Sequence, residues 1–409
     1  MTVVSKILDH MSFIPKPQHK FLSTLFVTIL TLRGRANFLN MSRYSDYHER
    51  TFRRHFKSEF DFPHFNQLAI AQVISEEPDL LLAQDASFVP KSGKRSYGLD
   101  SFWNGCTHRS ERGQELSLIS IVDVTRHTAF ALSAEQTPPR PPQDRKKTTP
   151  RQRAPQPSRT DFYLEHLTRC RPLLPAQVRY GVFDGAFAKH DFVHGVLTQG
   201  LHVVSRLRCD ANLRYLYTGA KAGRGRPRLY DGKVTFTDLS RFDYEAEVRP
   251  GIHLYTTLVY SISLKLRLRV CVAVNRSKTD KPTFVVLCST DCDLSATTIF
   301  TYYAARFQME FLFRDAKQFA GLNHCQARDK ASLHFHFNAS FSTVNLAKIE
   351  SVLEANKSER KVFSLASYKQ RAFNEHFLNL FISKLALEPN LIKIHPQYEY
   401  LKNYGAIAA

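Results

Sequence analysis

Apolar residues along the chain follow two periodicities. Near the amino terminus, residues 21–32 form an apolar run broken only by Ser and Thr, which predicts a buried helix. It is too short to cross a bilayer, which needs about 20 residues. Further on, Phe52 and Phe56 recur at i and i+4 while Arg50, Arg53 and Arg54 fall on the other side. That spacing predicts a short basic amphipathic helix, with Ser45 as its cap. From residue 79 the period shortens to that of strands: 79–88, 114–122 and 128–134, with 123–127 as the turn between the last two. A helix over 160–170, a strand over 178–184, a helix over 189–199 and a strand over 201–207 follow. Strands then dominate again, at 233–236, 245–248, 253–268, 270–274 and 283–288. The remainder reads as a helix through 303–317, a loop over 321–331, and amphipathic helices over 332–355 and 364–387.

Three strands, a helix, a strand, a helix and a strand make an α/β core. The pattern divides the chain into a helical module (1–75), the first part of the core (76–207), a β-rich insertion (208–299), a helix completing the core (300–345) and a helical C-terminal part (346–409). Within the core, residues 137–159 are rich in Pro, Lys and Arg, and too poor in apolar side chains to order themselves. No internal repeat is present, which excludes a solenoid.

Charge adds a partner class. The 409 residues carry 57 Lys and Arg against 37 Asp and Glu, a net charge of +20. Such an excess suits a polyanion, because neutralised phosphates release counterions. Ribosomal and membrane-surface proteins share it, so charge alone does not choose. The seven cysteines are irregularly spaced, with no Cys-x2-Cys pair, which points to reduced thiols. His324, Cys325, His334 and His336 lie near one another in sequence but lack a four-ligand zinc spacing, and read as packing residues.

The chemistry lies in three acids. Asp85 and Asp184 each close a short apolar run, which places each at the carboxyl end of a buried strand. Glu310 lies in Tyr303-x2-Arg306-x3-Glu310-x6-Lys317. On one helix these four fall at roughly 0°, 300°, 340° and 320°, an arc of about 60°. Three carboxylates brought together repel unless cations neutralise them. Magnesium, or manganese, is the natural partner, since it takes carboxylate oxygens and substrate phosphate together. Two ions roughly 3.5–4 Å apart activate the attacking oxygen and stabilise the leaving one.

At these residues the chain resembles the DDE transposases of bacterial insertion sequences, in the cut-and-paste class with a β-rich insertion before the last acid. Their Tyr-x2-Arg-x3-Glu-x6-Lys signature is present in full on Tyr303, Arg306, Glu310 and Lys317. The resemblance implies a ribonuclease H-like core whose first and fourth strands are neighbours. It implies two Mg2+ ions held by Asp85, Asp184 and Glu310, and phosphate contacts from Tyr303, Arg306 and Lys317. It further implies a homodimer assembled on double-stranded DNA, the terminal inverted repeats and the target, in a bacterial cytoplasm at the nucleoid. Arg50, Arg53 and Arg54 would then serve a helix-turn-helix-like module. Arg224 and Arg226, in Gly-Arg-Gly-Arg-Pro-Arg, fit either a minor-groove peptide or a flexible basic loop. Some relatives stabilise a flipped base with tryptophans of the insertion during a hairpin step. The only tryptophan here is Trp103, outside it, so the resemblance does not carry that step. A metal-dependent nuclease without strand transfer keeps the same acids and stays open. A catalytically silent DNA-binding derivative is opposed by their being intact.

Overall fold

The computed structural model describes residues 2–75, 78–140, 158–220, 226–277, 282–354 and 363–407. Five helices come first: α1 (Thr2–Asp9), α2 (Lys16–Thr31), α3 (Phe38–Met41), α4 (Glu49–His55) and α5 (Phe62–Ala71). The strands β1 (Leu80–Pro90), β2 (Asp100–Asn104), β3 (Arg109–Asp123) and β4 (Thr128–Gln136) follow, then α6 (Arg159–Cys170), β5 (Tyr180–Phe183), α7 (His190–Thr198) and β6 (His202–Leu207). The second strand-rich stretch holds β7 (Leu213–Leu216), β8 (Tyr230–Lys233), β9 (Asp243–Arg249), β10 (Ile252–Ser261), β11 (Leu266–Asn275) and β12 (Thr283–Ser289). The chain ends in α8 (Ala296–Ala305), α9 (Gln308–Gln318), α10 (Lys330–Glu354), α11 (Leu365–Lys384), α12 (Pro389–Lys393) and α13 (Pro396–Asn403).

All twelve strands join one sheet in the order β2-β3-β1-β5-β6-β12-β11-β10-β7-β8, with β4 on β3 and β9 on β10. β1, β5 and β6 run parallel and β3 antiparallel to β1. This mixed order is compatible with a ribonuclease H-like core, with β1 beside β5 as the resemblance implies. The strands β7 to β12 continue the same sheet, since β12 pairs with β6 through Val286–Leu207 and Ser289–Val204. Several strand boundaries differ from the sequence reading, two of them in kind. The strand expected over 253–268 is a hairpin of β10 and β11, turned at 262–265. No Gly or Pro marks it, because Lys265 takes the positive φ of 55° and Ser261 Oγ receives the Leu264 N–H at 3.2 Å. The strand expected over 233–236 ends at Lys233, and Val234 and Phe236 are buried beyond it.

The N-terminal helices pack on the sheet's flank: α5 lies against β4 and α10, and α2 against α10 and α11. Their Phe21, Phe26, Phe52, Phe56 and Phe65 are fully buried in a core continuous with that of the sheet. As expected, Phe52 and Phe56 face inward while Arg50, Arg53 and Arg54 are exposed. Ser45 does not cap that helix. Its hydroxyl turns back to the Met41 carbonyl at 3.0 Å, and His48 caps α4 instead through the Arg50 N–H.

The helix expected to be amphipathic over 332–355 is α10, and it is buried on nearly every side. Its small polar residues make this possible by closing the outer edge of β4. Asn338 exchanges hydrogen bonds with the Ala134 N–H and C=O at 3.0 and 2.9 Å, and Asn345 does the same with Ala131 at 2.9 and 2.7 Å. Seven helical residues rise about 10.5 Å and three strand residues about 10 Å, so the two amides meet the edge in step. The Lys348 ammonium completes the row at the Ala129 carbonyl, 2.9 Å away. An edge that would otherwise offer free peptide groups is thereby sealed.

Candidate active site

β1 brings the first acid to the sheet. Its parallel ladder with β5 pairs Leu81 through Gln84 with Tyr180 through Phe183, so Asp85 and Asp184 are the next residues on two adjacent strands. Asp85 is not at the end of its own strand, as the apolar run suggested. β1 continues to Pro90 through its antiparallel pairing with β3, and only the ladder with β5 stops at Gln84. Alternation sends neighbours to opposite faces. Gln84 donates to the Tyr163 carbonyl of α6 at 2.9 Å, whereas Asp85 meets the segment joining α8 and α9.

Asp184 opens a 3-10 turn, with its carbonyl receiving the Phe187 N–H at 2.9 Å. Gly185 keeps the approach to β6 close there: a Cβ would stand 3.0 Å from the Arg206 carbonyl oxygen, a tight contact. Asp184 also lies on a cleft of about 650 Å³ that Arg206 and Arg208 line, residues the sequence reading did not single out. Their place at and just after the end of β6 is the signal that could have marked them.

The signature residues do not occupy one continuous helix. The α-helical ladder gives way at Arg306 and Phe307, where Arg306 N–H bonds Tyr303 C=O and Phe307 N–H bonds Ala304 C=O, both at 3.2 Å. Glu310 N–H likewise bonds Phe307 C=O at 3.0 Å. These are i to i−3 bonds, a tighter turn than the α-helix. Packing explains the break, because α8 lies against β6, β11 and β12 while α9 lies against β1, β3, β4 and α10. Tyr303 therefore sits in the last turn of α8 and Glu310 in the first turn of α9, with Arg306 at the joint.

Arg306 bridges two of the acids. Its Nη1 donates to Asp85 Oδ2 at 2.9 Å and its Nη2 reaches Glu310 Oε1 at 3.4 Å. The Arg306 side chain is 14% exposed and that of Asp85 25%, so a buried charge is met by an opposite one. Burial pushes the Asp85 carboxyl up to about 6; the Arg306 guanidinium and the Ala86 N–H pull it down, and Asp184 and Glu310 add to the rise by repulsion. Arg306 is held charged against its own burial by Asp85 first, then by Tyr303, Asp184 and Glu310. Its guanidinium stands 5.7 Å from the Tyr303 ring centre, and burial raises the Tyr303 phenol.

Lys317 lies one strand-step further along. Its ammonium donates to Ser87 Oγ at 2.8 Å and to the Phe88 carbonyl at 3.0 Å, and burial lowers its pKa. Asp85, Asp184, Glu310, Tyr303, Arg306 and Lys317 thus gather at the point where β1 and β5 diverge. Among the described residues no three His, Cys, Asp or Glu side chains stand close enough together to hold a metal ion as they are. The donor set nevertheless suits a hard divalent cation, being carboxylate only, and the single positive charge between Asp85 and Glu310 is the arginine.

The remaining candidates lie apart. Arg53 pairs with Glu49 at 3.6 Å and stands over the Phe38 ring. Arg226 is exposed, and Arg224 lies outside the described residues. His324 accepts the Ala36 N–H at 3.1 Å and His336 donates to the Gly321 carbonyl at 2.8 Å. No helix among the described residues is long and apolar enough to cross a membrane.

Residues 13–248 match the family described as DDE superfamily endonuclease, and residues 156–346 match the transposase DDE domain. No curated protein matches the chain.

Proposed function

From the premise that the chain belongs to the DDE superfamily of endonucleases and transposases, we propose that it is a transposase. It binds the ends of its insertion sequence, cleaves them, and joins the freed 3′-hydroxyls to target DNA. The observation that carries this reading is the juxtaposition of Asp85 and Asp184 at the end of the β1–β5 ladder, with Glu310 tied to Asp85 through Arg306. Asp85, Asp184 and Glu310 would hold two divalent ions, Mg2+ or Mn2+. When bound, such ions polarise the phosphate and lower the pKa of water.

The chain's own residues supply position and charge. Water attacks the scissile phosphorus in line, its proton passing to the 3′-oxygen that leaves as a hydroxyl; that hydroxyl then attacks a target phosphate in the same place, breaking the target's P–O3′ bond and releasing a target 3′-hydroxyl. Arg306 is the cation nearest the carboxylates, and its Nε is buried without an acceptor, so it has a donor in reserve for a phosphate oxygen. Lys317, anchored on Ser87 and Phe88, fixes a second phosphate from the last turn of α9. Tyr303 shields one side of Arg306. Exposed Arg50, Arg53 and Arg54 on α4 read the ends. Cutting two ends together calls for two copies, and the exposed stripe of Phe377, Leu380 and Phe381 on α11, continued by Leu385 just after it, supports a homodimer.

The test uses a duplex carrying the inverted repeats that flank the gene. Wild-type protein with Mg2+ should yield 3′-hydroxyl ends and joined products. Asp85→Asn, Asp184→Asn and Glu310→Gln should each lower cleavage by about a hundred- to a thousandfold or more, while binding in Ca2+ persists. Near-normal cleavage by Glu310→Gln would move catalysis to another acid. Cleavage without joining would make the protein a nuclease of the same superfamily.

A further inference from the structure

Beyond the acids, β1 delivers the chain to a second charged feature. A cleft of about 830 Å³ opens between residues 90–96 and 323–328, with Arg35 on its rim. Arg35, Lys91, Lys94, Arg95 and Arg328 line it, and no Asp or Glu does. Several arginines elsewhere on the surface are paired with carboxylates, as Arg109 with Glu111, Arg169 with Glu135, Arg208 with Asp210 and Arg241 with Asp231. Among the described residues, none of the ion pairs involves the five cations of the cleft, and all but Lys91 are exposed.

The walls are built rather than loose. The Tyr97 N–H donates to the Arg328 carbonyl at 2.8 Å, and the Lys91 ammonium donates to the Cys325 carbonyl. The Ala36 N–H donates to His324, and His336 holds the Gly321 carbonyl. Gly321, at φ +77°, lets the wall pass Ala36, whose Cβ would be 2.4 Å from any side chain there. Like charges held together in a braced cleft repel one another, and an anion that bridges them removes that repulsion.

We propose that this cleft is a second DNA-backbone site, gripping duplex phosphates about six base pairs from the phosphate at the acids. The spacing follows from β1. Asp85 lies on β1 and Lys91 directly follows the strand's last residue, six positions on, about 20 Å for extended chain at about 3.3 Å per residue. Duplex DNA laid along the strand covers that distance in about six base pairs, at about 3.4 Å each. Lys317, bonded to Ser87 and Phe88, marks the path between the two. The proposal rests on the transposase reading for its substrate, but its contacts are with backbone and need no sequence.

The full-length chain and its Lys94→Gln/Arg95→Gln/Arg328→Gln variant are titrated with a random-sequence duplex in EDTA at several salt concentrations. Each lost phosphate contact should flatten the slope of log K against log salt by about 0.9, and the triple variant by about 2.7. An unchanged slope, with unchanged thermal unfolding, overturns the proposal. A second arm keeps the position testable if the variant is damaged. Neutral methylphosphonates about six base pairs from the mapped cut should weaken binding of the wild type, and a scan whose strongest effect lies elsewhere overturns the placement. The two readings fail separately. A protein that never cuts DNA but loses slope in the variant keeps the cleft and loses the transposase assignment, and one that cuts but keeps its slope does the reverse.

Discussion

Two groups of cations lie near β1, one beside Asp85 and one beyond Pro90, and they differ in how their charge is balanced. At Asp85, Arg306 is enclosed and committed to two carboxylates, so its charge is balanced inside the protein. At the far end of the strand, Lys94, Arg95 and Arg328 are exposed, and no carboxylate lines their cleft. A balanced, buried cation can set the position of a reacting phosphate but adds little to long-range attraction. An unbalanced, exposed group attracts a polyanion from a distance and does nothing for bond cleavage. On the proposed reading, one group serves chemistry and the other holding, a difference that the net charge of +20, summed over the whole chain, does not reveal.

The largest expected effect on this contrast comes from Arg306→Ala. Removing the bridge leaves Asp85 and Glu310 facing Asp184 without a cation, and displaces the phosphate. Cleavage of saturating DNA should fall about a hundredfold, as for a misplacement of about 1 Å, with affinity changed little. An affinity loss as large as the rate loss would show that Arg306 holds rather than positions. Next in size is α4, proposed to read the ends: the Arg50→Gln/Arg53→Gln/Arg54→Gln variant should lower preference for end DNA over random duplex, read by competition gel shift, while leaving cleavage of bound ends intact. Equal loss on both duplexes would reduce α4 to another backbone contact.

A third region sharpens the contrast by serving neither role. His166 of α6 is fully buried between Ser117 Oγ and Ser133 Oγ, each 2.9 Å away, and burial lowers its pKa to about 4. The unfolded chain takes up this proton near pH 6.5 and the folded chain does not until about pH 4. Stability due to His166 is thus present above pH 6.5 and lost as pH falls to about 4, by about 3 kcal/mol. Urea unfolding at pH 7, 5.5 and 4.5 should show that loss, and His166→Asn should flatten it. DNA binding at pH 7.5 should not change. The smallest effect is expected from Ser87→Ala, which removes one of the two acceptors of Lys317 and should slow cleavage by a fewfold, since the Phe88 carbonyl remains. A loss as large as that of Arg306→Ala would make Lys317 the principal phosphate clamp.

What was legible in the sequence was local. An acid closing an apolar run and the spacing of Tyr303, Arg306, Glu310 and Lys317 are short-range facts, and all four signature residues reach the region of Asp85. The break at Arg306 was not legible, because it arises from α8 and α9 packing on different strands. Nor was the joining of β12 to β6, since strand order depends on partners far apart in the chain. The hairpin at 262–265 was missed because a lysine, not a glycine, takes the left-handed position. α10 read as amphipathic because its Ser and Asn residues count as polar in any pattern, yet Asn338 and Asn345 are buried against the β4 edge. The basic cleft was half visible: Lys91, Lys94 and Arg95 are adjacent, but Arg35 and Arg328 join them only through the fold.

The division of labour along β1 is tested most directly by measuring two quantities on one end-bearing duplex: the single-turnover cleavage rate at saturating protein with Mg2+, and the dissociation constant in Ca2+. Asp85→Asn should abolish the rate and keep the affinity, whereas the Lys94/Arg95/Arg328 glutamine variant should weaken affinity and keep the saturated rate. If both variants change rate and affinity in the same proportion, β1 does not separate chemistry from holding and the account is contradicted.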